Sequence, residues 1–264
     1  KTFFRQSSTD TQTEFFHSIP LLTTYSIENI EKRIEEMNNN PEYAKKRKRN
    51  QFFGPSKRKV ENEIITLVLT SIPQDSPQLN FTHLMGRNKE IMKIIGNSYN
   101  LQTLYLPCGF DYSHHTSYLR ELNNLTMLKN LFAQDLSARL LIDLSRNPNI
   151  NLARLEISSY YSPNGDPDAI KIFVESPYST NLEELTIDRA KINRENCLAL
   201  TNSTFKGRLR CLSLRCCHNL SDENFQIIMR TQFSNIEKFD FSYNHSLTDT
   251  AVHALIEYLT NKTT

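Results

Sequence analysis

One apolar pattern recurs along most of the chain and constrains the fold more than any other feature. The pattern is a triplet of apolar residues at positions 1, 4 and 6 of a short segment, as in LQTLYL from residue 101 and LRCLSL from residue 209. Its copies begin at residues 64, 101, 128, 152, 182, 209 and 236, so that successive copies are 37, 27, 24, 30, 27 and 27 residues apart. A period of roughly 20–50 residues indicates a repeat architecture, in which each structural unit stacks on the next.

Each triplet predicts a short strand, because strand side chains alternate between two faces and positions 4 and 6 therefore share one face. A segment with helical periodicity follows each of the later triplets. Asn193, Ser221 and Thr248 precede three of these segments and are predicted N-caps, as is Asp166 or a neighbour before a fourth. The residues that the last two helices are expected to bury are Phe225, Ile228, Met229, Val252, Leu255 and Leu259.

A unit of strand, turn and helix cannot bury its apolar side alone, so the units are expected to stack. The predicted fold is an α/β solenoid of right-handed βα repeats, curved so that a parallel sheet lines the concave face and helices line the convex face. Residues 60–264 are expected to form about six to seven repeats, with a first strand at Ile64, Leu67 and Leu69 and a helix over 80–97. Residues 1–59 are expected to form a separate extension with an amphipathic helix at 26–37 and a basic linker.

The two C-terminal units resemble the leucine-rich repeat, in the cysteine-containing subtype found in F-box proteins. The pattern of that subtype is L-x-x-L-x-L-x-x-C-x-x-(I/L)-(T/S)-D-x-x-(L/F). The residues that match it in the first of the two units are Leu209, Leu212, Leu214, Cys217, Leu220, Ser221, Asp222 and Phe225. In the second unit they are Ile236, Phe239, Phe241, Asn244, Leu247, Thr248, Asp249 and Val252, with Asn at the cysteine position. The resemblance implies that this Cys or Asn side chain bonds the turn backbone, and that the protein is a substrate-recognition or adaptor subunit of a ubiquitin ligase whose adaptor-binding helix would be 26–37.

Side chains that alternate with the core leucines should line the concave face. The candidate partner-binding residues on this face are Tyr105, Arg154, Glu156, Glu184, Thr186, Asp188, Ser213, Arg215, Lys238 and Asp240, flanked by Thr103, Pro107, Ser158, Cys211 and Ser242. Six or seven strands about 4.8 Å apart would make a trough roughly 25–30 Å long. Because the trough is polar and of mixed charge, it suits a protein or peptide better than a small molecule, for which an apolar pocket is expected.

The positive charge of the chain is concentrated in one segment, residues 45–59. Its basic residues are Lys45, Lys46, Arg47, Lys48, Arg49, Lys57, Arg58 and Lys59, and no acidic residue interrupts them. Three interpretations stay open: a solvated linker, a bipartite signal for a nuclear-import receptor, and a contact with an acidic partner such as nucleic-acid phosphates or lipid head groups. Nucleic acid ranks below import because only Phe52 and Phe53 interleave the charges, too few for a stacking platform.

No motif in the sequence predicts catalysis or a cofactor. Phosphate-cradling glycine loops and the nucleophile elbow are absent. Cys108 with His114 and His115 lacks the paired spacing of a zinc site, so no metal is expected. Five cysteines, two of them adjacent, favour free thiols and an intracellular protein, cytoplasmic or nuclear. No stretch approaches the roughly 20 apolar residues of a membrane span.

The sequence therefore predicts a non-catalytic protein–protein interaction module without cofactors. Two alternatives stay open. One is a structural subunit or assembly factor of a large complex, with the basic segment contacting RNA or lipid. The other is a regulator of a small GTPase built on repeats, although no residue of the chain stands out as catalytic for that role.

Overall fold

The computed structural model describes residues 74–81, 88–106, 125–134, 138–158 and 168–263. The predicted strand at 64–69, the helix at 26–37 and the basic segment at 45–59 lie outside these ranges. The boundary that the sequence predicts after residue 59 therefore stays a prediction. None of the helices in the described ranges is both long enough and apolar enough to span a bilayer.

In the described ranges, seven strands form one open, parallel sheet in chain order, which confirms the α/β repeat class. The strands are β1 (Gln78–Asn80), β2 (Thr103–Leu106), β3 (Asn130–Gln134), β4 (Arg154–Ser158), β5 (Glu184–Asp188), β6 (Cys211–Ser213) and β7 (Lys238–Asp240). The α-helices of the described ranges are α1 (Asn88–Asn97), α2 (Ala138–Leu144), α3 (Ala169–Val174), α4 (Arg194–Asn202), α5 (Asp222–Met229) and α6 (Asp249–Thr263). Short 3-10 turns at Leu125–Met127 and Pro177–Ser179 complete the described elements.

The described residues divide between two compact units, one containing 74–80 and 89–100 and the other containing 81, 88 and the described residues from 101 onward. In the first unit, Leu79 of β1 and both Ile91 and Ile95 of α1 are fully buried. The second unit contains β2 to β7 and α2 to α6, and every candidate site residue within the described ranges belongs to it. It is the unit in which the repeat is regular.

The register of the second unit pairs each triplet position with the same position of the next repeat. Position 4 runs across the sheet as Leu104, Leu131, Leu155, Leu185, Leu212 and Phe239. The five leucines of this column are at most 1% exposed. Burial of one leucine side chain contributes about 1.5–3 kcal/mol. Helices α2 to α6 also contact one another in chain order, so both layers follow the stacking that the period predicts.

Three helix starts carry the caps that the sequence predicts. Asn193 and Asn196 form a reciprocal capping box at α4, in which each side-chain oxygen accepts the other residue's backbone N–H, at 2.8 and 3.1 Å. Ser221 Oγ accepts the backbone N–H three residues later at 3.3 Å. Thr248 Oγ1 accepts the N–H two residues later, also at 3.3 Å. These bonds satisfy N–H groups that have no partner inside the helix.

The prediction of a helix from residue 80 is wrong at its start, because Asn80 belongs to β1. Leu79 and Phe81 occupy positions 4 and 6 of a triplet whose first position is Ser76, which is 8% exposed. The Phe81 N–H donates to Tyr105 O at 2.9 Å, in the same way that the N–H of another position-6 residue, Leu214, donates to the following repeat. A serine in place of the first apolar residue hid this copy of the pattern.

The predicted buried face of the last helix is also wrong. Val252 and Leu259 of α6 are 54% and 51% exposed, whereas Ala251 and Tyr258 are buried. The reason lies in the aromatic packing beneath the helix. The Tyr258 ring meets the Phe239 ring edge to face at 5.3 Å, and this contact turns the alternative face of α6 toward the sheet.

Candidate functional site

The site is built on the side of the sheet that points away from the leucine core. The outward face, as we define it, comprises Thr103, Tyr105, Asn130, Phe132, Arg154, Glu156, Ser158, Glu184, Thr186, Asp188, Cys211, Ser213, Arg215, Lys238 and Asp240. Strands β2, β4 and β5 alternate between half-exposed and buried residues, which assigns these side chains to the open side. All of them are partly exposed except Ser213, which is buried. The alternation predicted from the triplets is therefore present in the structure.

The register aligns the outward side chains in two rows. The first row is Thr103, Asn130, Arg154, Glu184, Cys211 and Lys238, and the second is Tyr105, Phe132, Glu156, Thr186, Ser213 and Asp240. Adjacent members of a row lie on neighbouring strands, about 4.8 Å apart. Residues far apart in sequence are thus brought together in an order fixed by the repeat.

The β2–β4 end of the face contains an aromatic pair and a cation. Tyr105 and Phe132 stack with ring centroids 4.3 Å apart and planes within 6°. The Arg154 guanidinium lies over the Phe132 ring, 4.8 Å from its centroid. Phe132 is not among the residues predicted for this face, although it stands between Leu131 and Ala133 of the third triplet, where strand alternation directs it outward. Each of these contacts is worth about 0.5–1.5 kcal/mol.

Two carboxylates fix the same arginine from the other side. Arg154 Nη2 lies 3.3 Å from Glu156 Oε2, and Arg154 Nε lies 3.2 Å from Glu184 Oε2. All three side chains are about 40% exposed, so the pairs add little to the free energy of unfolding. Their effect is to hold a guanidinium in one orientation on an open surface.

The opposite end of the face carries the β5–β7 patch, which we define as Asp188, Ser213, Arg215 and Asp240. The Arg189 N–H donates to Arg215 O at 2.8 Å, which brings Asp188 beside Arg215. Ser213 lies directly opposite Asp240 on the next strand. Arg215 Nε is 3.8 Å from Asp240 Oδ2. The β5–β7 patch therefore contains two carboxylates, one guanidinium and one hydroxyl from three neighbouring repeats.

The two carboxylates of the patch are in different electrostatic states. Burial raises the pKa of Asp188; the positive charge of Arg215 opposes this rise, and the negative charges of Glu156 and Asp240 add to it. The pKa of Asp240 is lowered, chiefly because its carboxylate accepts a hydrogen bond from the Ser242 hydroxyl at 2.7 Å. Asp188 is therefore the carboxylate whose charge is poorly compensated.

Three polar atoms of the patch have unused hydrogen-bonding capacity. Asp188 Oδ1, Ser213 Oγ and Arg215 Nε are shielded from solvent and make no hydrogen bond with any residue that the structure describes. Almost all buried polar atoms in folded proteins have such a partner. Three such atoms on one face indicate hydrogen bonds that the residues of the described ranges do not complete.

The inward turn positions are structural, as the resemblance implies. Cys217 Sγ donates to Ile187 O at 3.3 Å, and Asn244 Nδ2 donates to Leu214 O at 2.7 Å, so each side chain reaches the strand end of the preceding repeat. Burial raises the pKa of both Cys217 and Cys197 to about 12. At neutral pH these thiols are protonated and therefore not nucleophilic.

The remaining predicted site residues are distributed as follows. Thr186 lies between Glu156 and Ser213 in the second row, and Lys238 is exposed at the end of the first row, beside Cys211. Pro107, the basic segment and the trio Cys108, His114 and His115 lie outside the described residues. Within the described ranges, no three His, Cys, Asp or Glu side chains are grouped closely enough to hold a metal ion.

Comparison with known proteins adds a likeness to a solved structure. No family model and no curated protein sequence matches the chain. The fold is similar to that of a Bacteroides fragilis protein whose crystal structure was a target of the Northeast Structural Genomics Consortium. The two share 13% identity with a TM-score of 0.45, and the match covers 68% of this chain and 60% of the length of that protein. At this level of similarity the match identifies no family.

Proposed function

We propose that the chain is a non-catalytic interaction module whose outward face binds a polar, charged segment of another protein. The observation that carries the proposal is Arg154, which is held in one orientation by Phe132, Glu156 and Glu184 while about 40% of its side chain stays exposed. A contact group that is already ordered loses little conformational entropy on binding, so its contacts contribute more to affinity.

The dimensions of the face favour a macromolecular partner. Six strands about 4.8 Å apart extend the two rows over roughly 24 Å. The first row carries charges of both signs, whereas the charged residues of the second row are two carboxylates. Such a charge pattern selects partners of complementary charge and speeds their association. Small-molecule sites are instead enclosed and largely apolar. A polypeptide of mixed charge fits this surface best.

A two-step experiment tests this proposal. A photo-crosslinking amino acid at Phe132 identifies the partner in extracts of the native cell, and the affinity of the purified partner is then measured with the full chain. We expect Arg154→Glu to weaken binding at least tenfold, because it places a third negative charge beside Glu156 and Glu184. The matched control is Arg230→Glu, which reverses an exposed charge at the end of α5 and should leave the affinity unchanged. Equal affinity of both variants would refute the proposal.

We further propose, from the resemblance of residues 209–252 to the cysteine-containing leucine-rich repeat, that the partner is a substrate selected for ubiquitin transfer. The hydrogen bonds of Cys217 and Asn244 support this assignment because they serve the turn in the way the resemblance implies. The segment 26–37 would then bind the ligase adaptor, although it lacks the usual L-P-x-E start. Co-purification of a cullin adaptor with the full chain, lost on deletion of 1–59, is the expected result; retention after deletion would exclude this role for the segment.

The basic segment favours a second function, a structural or assembly subunit that contacts RNA or lipid. Its eight positive charges without an acidic residue support this alternative. Binding through phosphates weakens steeply with salt, because neutralised phosphates release counterions. RNA binding that falls steeply between low and physiological salt and is abolished by neutralising Lys45 to Lys59 would favour this function. Salt-independent or absent binding would leave the substrate-receptor role.

A further inference from the structure

The β5–β7 patch combines features that a purely structural surface does not need. Ser213 is 4% exposed, although it belongs to the row of outward side chains, and its Oγ has no hydrogen-bond partner in the described ranges. Asp188 Oδ1 and Arg215 Nε are also buried atoms without a hydrogen-bond partner in the described ranges. Leaving buried polar groups unpaired destabilises a fold, so a group of three is expected where a ligand completes the bonding.

The unpaired atoms define what would satisfy them. Asp188 Oδ1 accepts a hydrogen bond, Arg215 Nε–H donates one, and Ser213 Oγ can do either. A complementary group must therefore offer a donor and an acceptor side by side. A primary carboxamide offers both, since its NH₂ donates while its carbonyl oxygen accepts.

The charges of the patch disfavour ionic ligands. A bound carboxylate would be attracted to Arg215 but repelled by Asp188 and Asp240. A bound ammonium group would be attracted to the two carboxylates but repelled by the guanidinium, which lies 3.8 Å from Asp240. A neutral carboxamide completes the hydrogen bonds without adding a charge to either side.

We propose that the β5–β7 patch is a subsite for the carboxamide side chain of an Asn or Gln in the bound segment. In this arrangement the ligand NH₂ donates to Asp188 and the ligand oxygen accepts from Arg215 and Ser213. The Arg215 side chain, which is 42% exposed, is the group that must move to admit the ligand. Burial raises the pKa of Asp188, although the charge of Arg215 and a hydrogen bond from the Arg215 backbone oppose the rise. Oδ1 is the atom of this carboxyl group that has no partner in the described ranges. This subsite rests on the proposed function, because it specifies one residue of the partner.

The test uses three small probes on the full chain: the N-acetyl methylamides of glutamine, glutamate and lysine. Chemical shifts of backbone amides are followed by NMR during titration. We expect the glutamine probe to shift the Arg215 and Asp240 amides and Ser213→Ala to reduce that shift at least threefold. The matched control is Ser234→Ala, at an exposed position outside the outward face, which should leave the shift unchanged. Equal shifts with all three probes, a preference for glutamate or lysine, or no shift with any probe would overturn the proposal.

A stability measurement keeps the test independent of weak affinity. If Ser213 Oγ is unpaired in the free chain, Ser213→Ala should leave the Tm unchanged or raise it. A Tm lowered by several degrees would mean that the hydroxyl already serves the fold and would overturn the proposal. If the glutamine probe shows no preferred binding while Arg154→Glu still weakens partner binding at least tenfold, the carboxamide subsite alone is refuted. The protein-binding function then stays intact.

Discussion

Replacement of Asn244 by Ala should destabilise the second unit more than any substitution on the outward face. The Asn244 side chain is 8% exposed and makes three hydrogen bonds at 2.7 Å. Its Oδ1 accepts the Cys217 N–H, and its Nδ2 donates to both Leu214 O and Phe241 O. Alanine leaves all three backbone groups without this partner.

The magnitude follows from the burial of each bond. The bonds to Cys217 and Leu214 are buried and are worth about 1–1.5 kcal/mol each, whereas the part-buried bond to Phe241 is worth about 0.5 kcal/mol. Their sum is about 3 kcal/mol. At about 2–4 °C per kcal/mol for a domain of this size, the Tm should fall by about 6–12 °C.

The measurements are thermal and urea unfolding followed by circular dichroism, with hydrogen exchange of the Cys217 amide as the local readout. Asn244→Cys should retain part of the stability, because Cys217 itself fills the equivalent position of the preceding repeat. Asn244→Asp should be worse than Ala at pH 7, since a buried carboxylate would face two carbonyl oxygens, and should recover at acidic pH. His245→Ala, at an exposed neighbour, is the matched control. A loss below about 1 kcal/mol for Ala would refute the assignment of these bonds as the support of the turn.

Three further outcomes follow from the same structure. Asp188→Asn should raise the free energy of unfolding at neutral pH, because the folded-state pKa of Asp188 is raised and stability is lost as pH rises above the ordinary value of 3.8. The difference in the free energy of unfolding between Asp188→Asn and the unchanged chain should vanish in urea titrations below pH 3.8. A difference that persists there would contradict the cost of ionising Asp188 as its cause. The thiols of Cys197 and Cys217, whose pKa values are about 12, should resist iodoacetamide at pH 8 until the chain is unfolded; rapid labelling of the native protein would contradict their burial. Phe132→Ala should lower the free energy of unfolding by about 1–2 kcal/mol, since it removes both the stack and the cation contact, while Phe132→Tyr should restore most of it in the same assay.

The regular part of the fold was predictable because its period is set by packing. Residues at positions 1, 4 and 6 must be apolar wherever one repeat covers the next, so β2 to β7 could be located from leucines and their equivalents. The N-caps at Asn193 and Ser221 were predictable for a local reason, since a side-chain oxygen satisfies the N–H groups of the first turn. Such signals need no knowledge of the tertiary structure.

The errors arose where tertiary contacts decide the outcome. Ser76 is buried at a position where the pattern demands an apolar residue, so β1 carried no recognisable signal. The rotation of α6 depends on the fit of Tyr258 against Phe239, which periodicity alone cannot supply. In the candidate site, the direction of each outward side chain followed from strand alternation. The unpaired atoms of Asp188 and Ser213 depend on packing across three strands and could not be read from the sequence.

The exposed apolar side chains of α6 affect where local unfolding of the second unit begins. Val252, Ile256 and Leu259 are each more than half exposed, although α6 packs against α5. A repeat that buries little of its surface opens at low cost, and all three residues of β7 are at least partly exposed, so local unfolding should begin at α6 and β7. The first strand to be released also carries Asp240 of the patch. A partner bound across β5 to β7 would therefore hold β7 in the sheet, and its dissociation would expose this repeat to proteases.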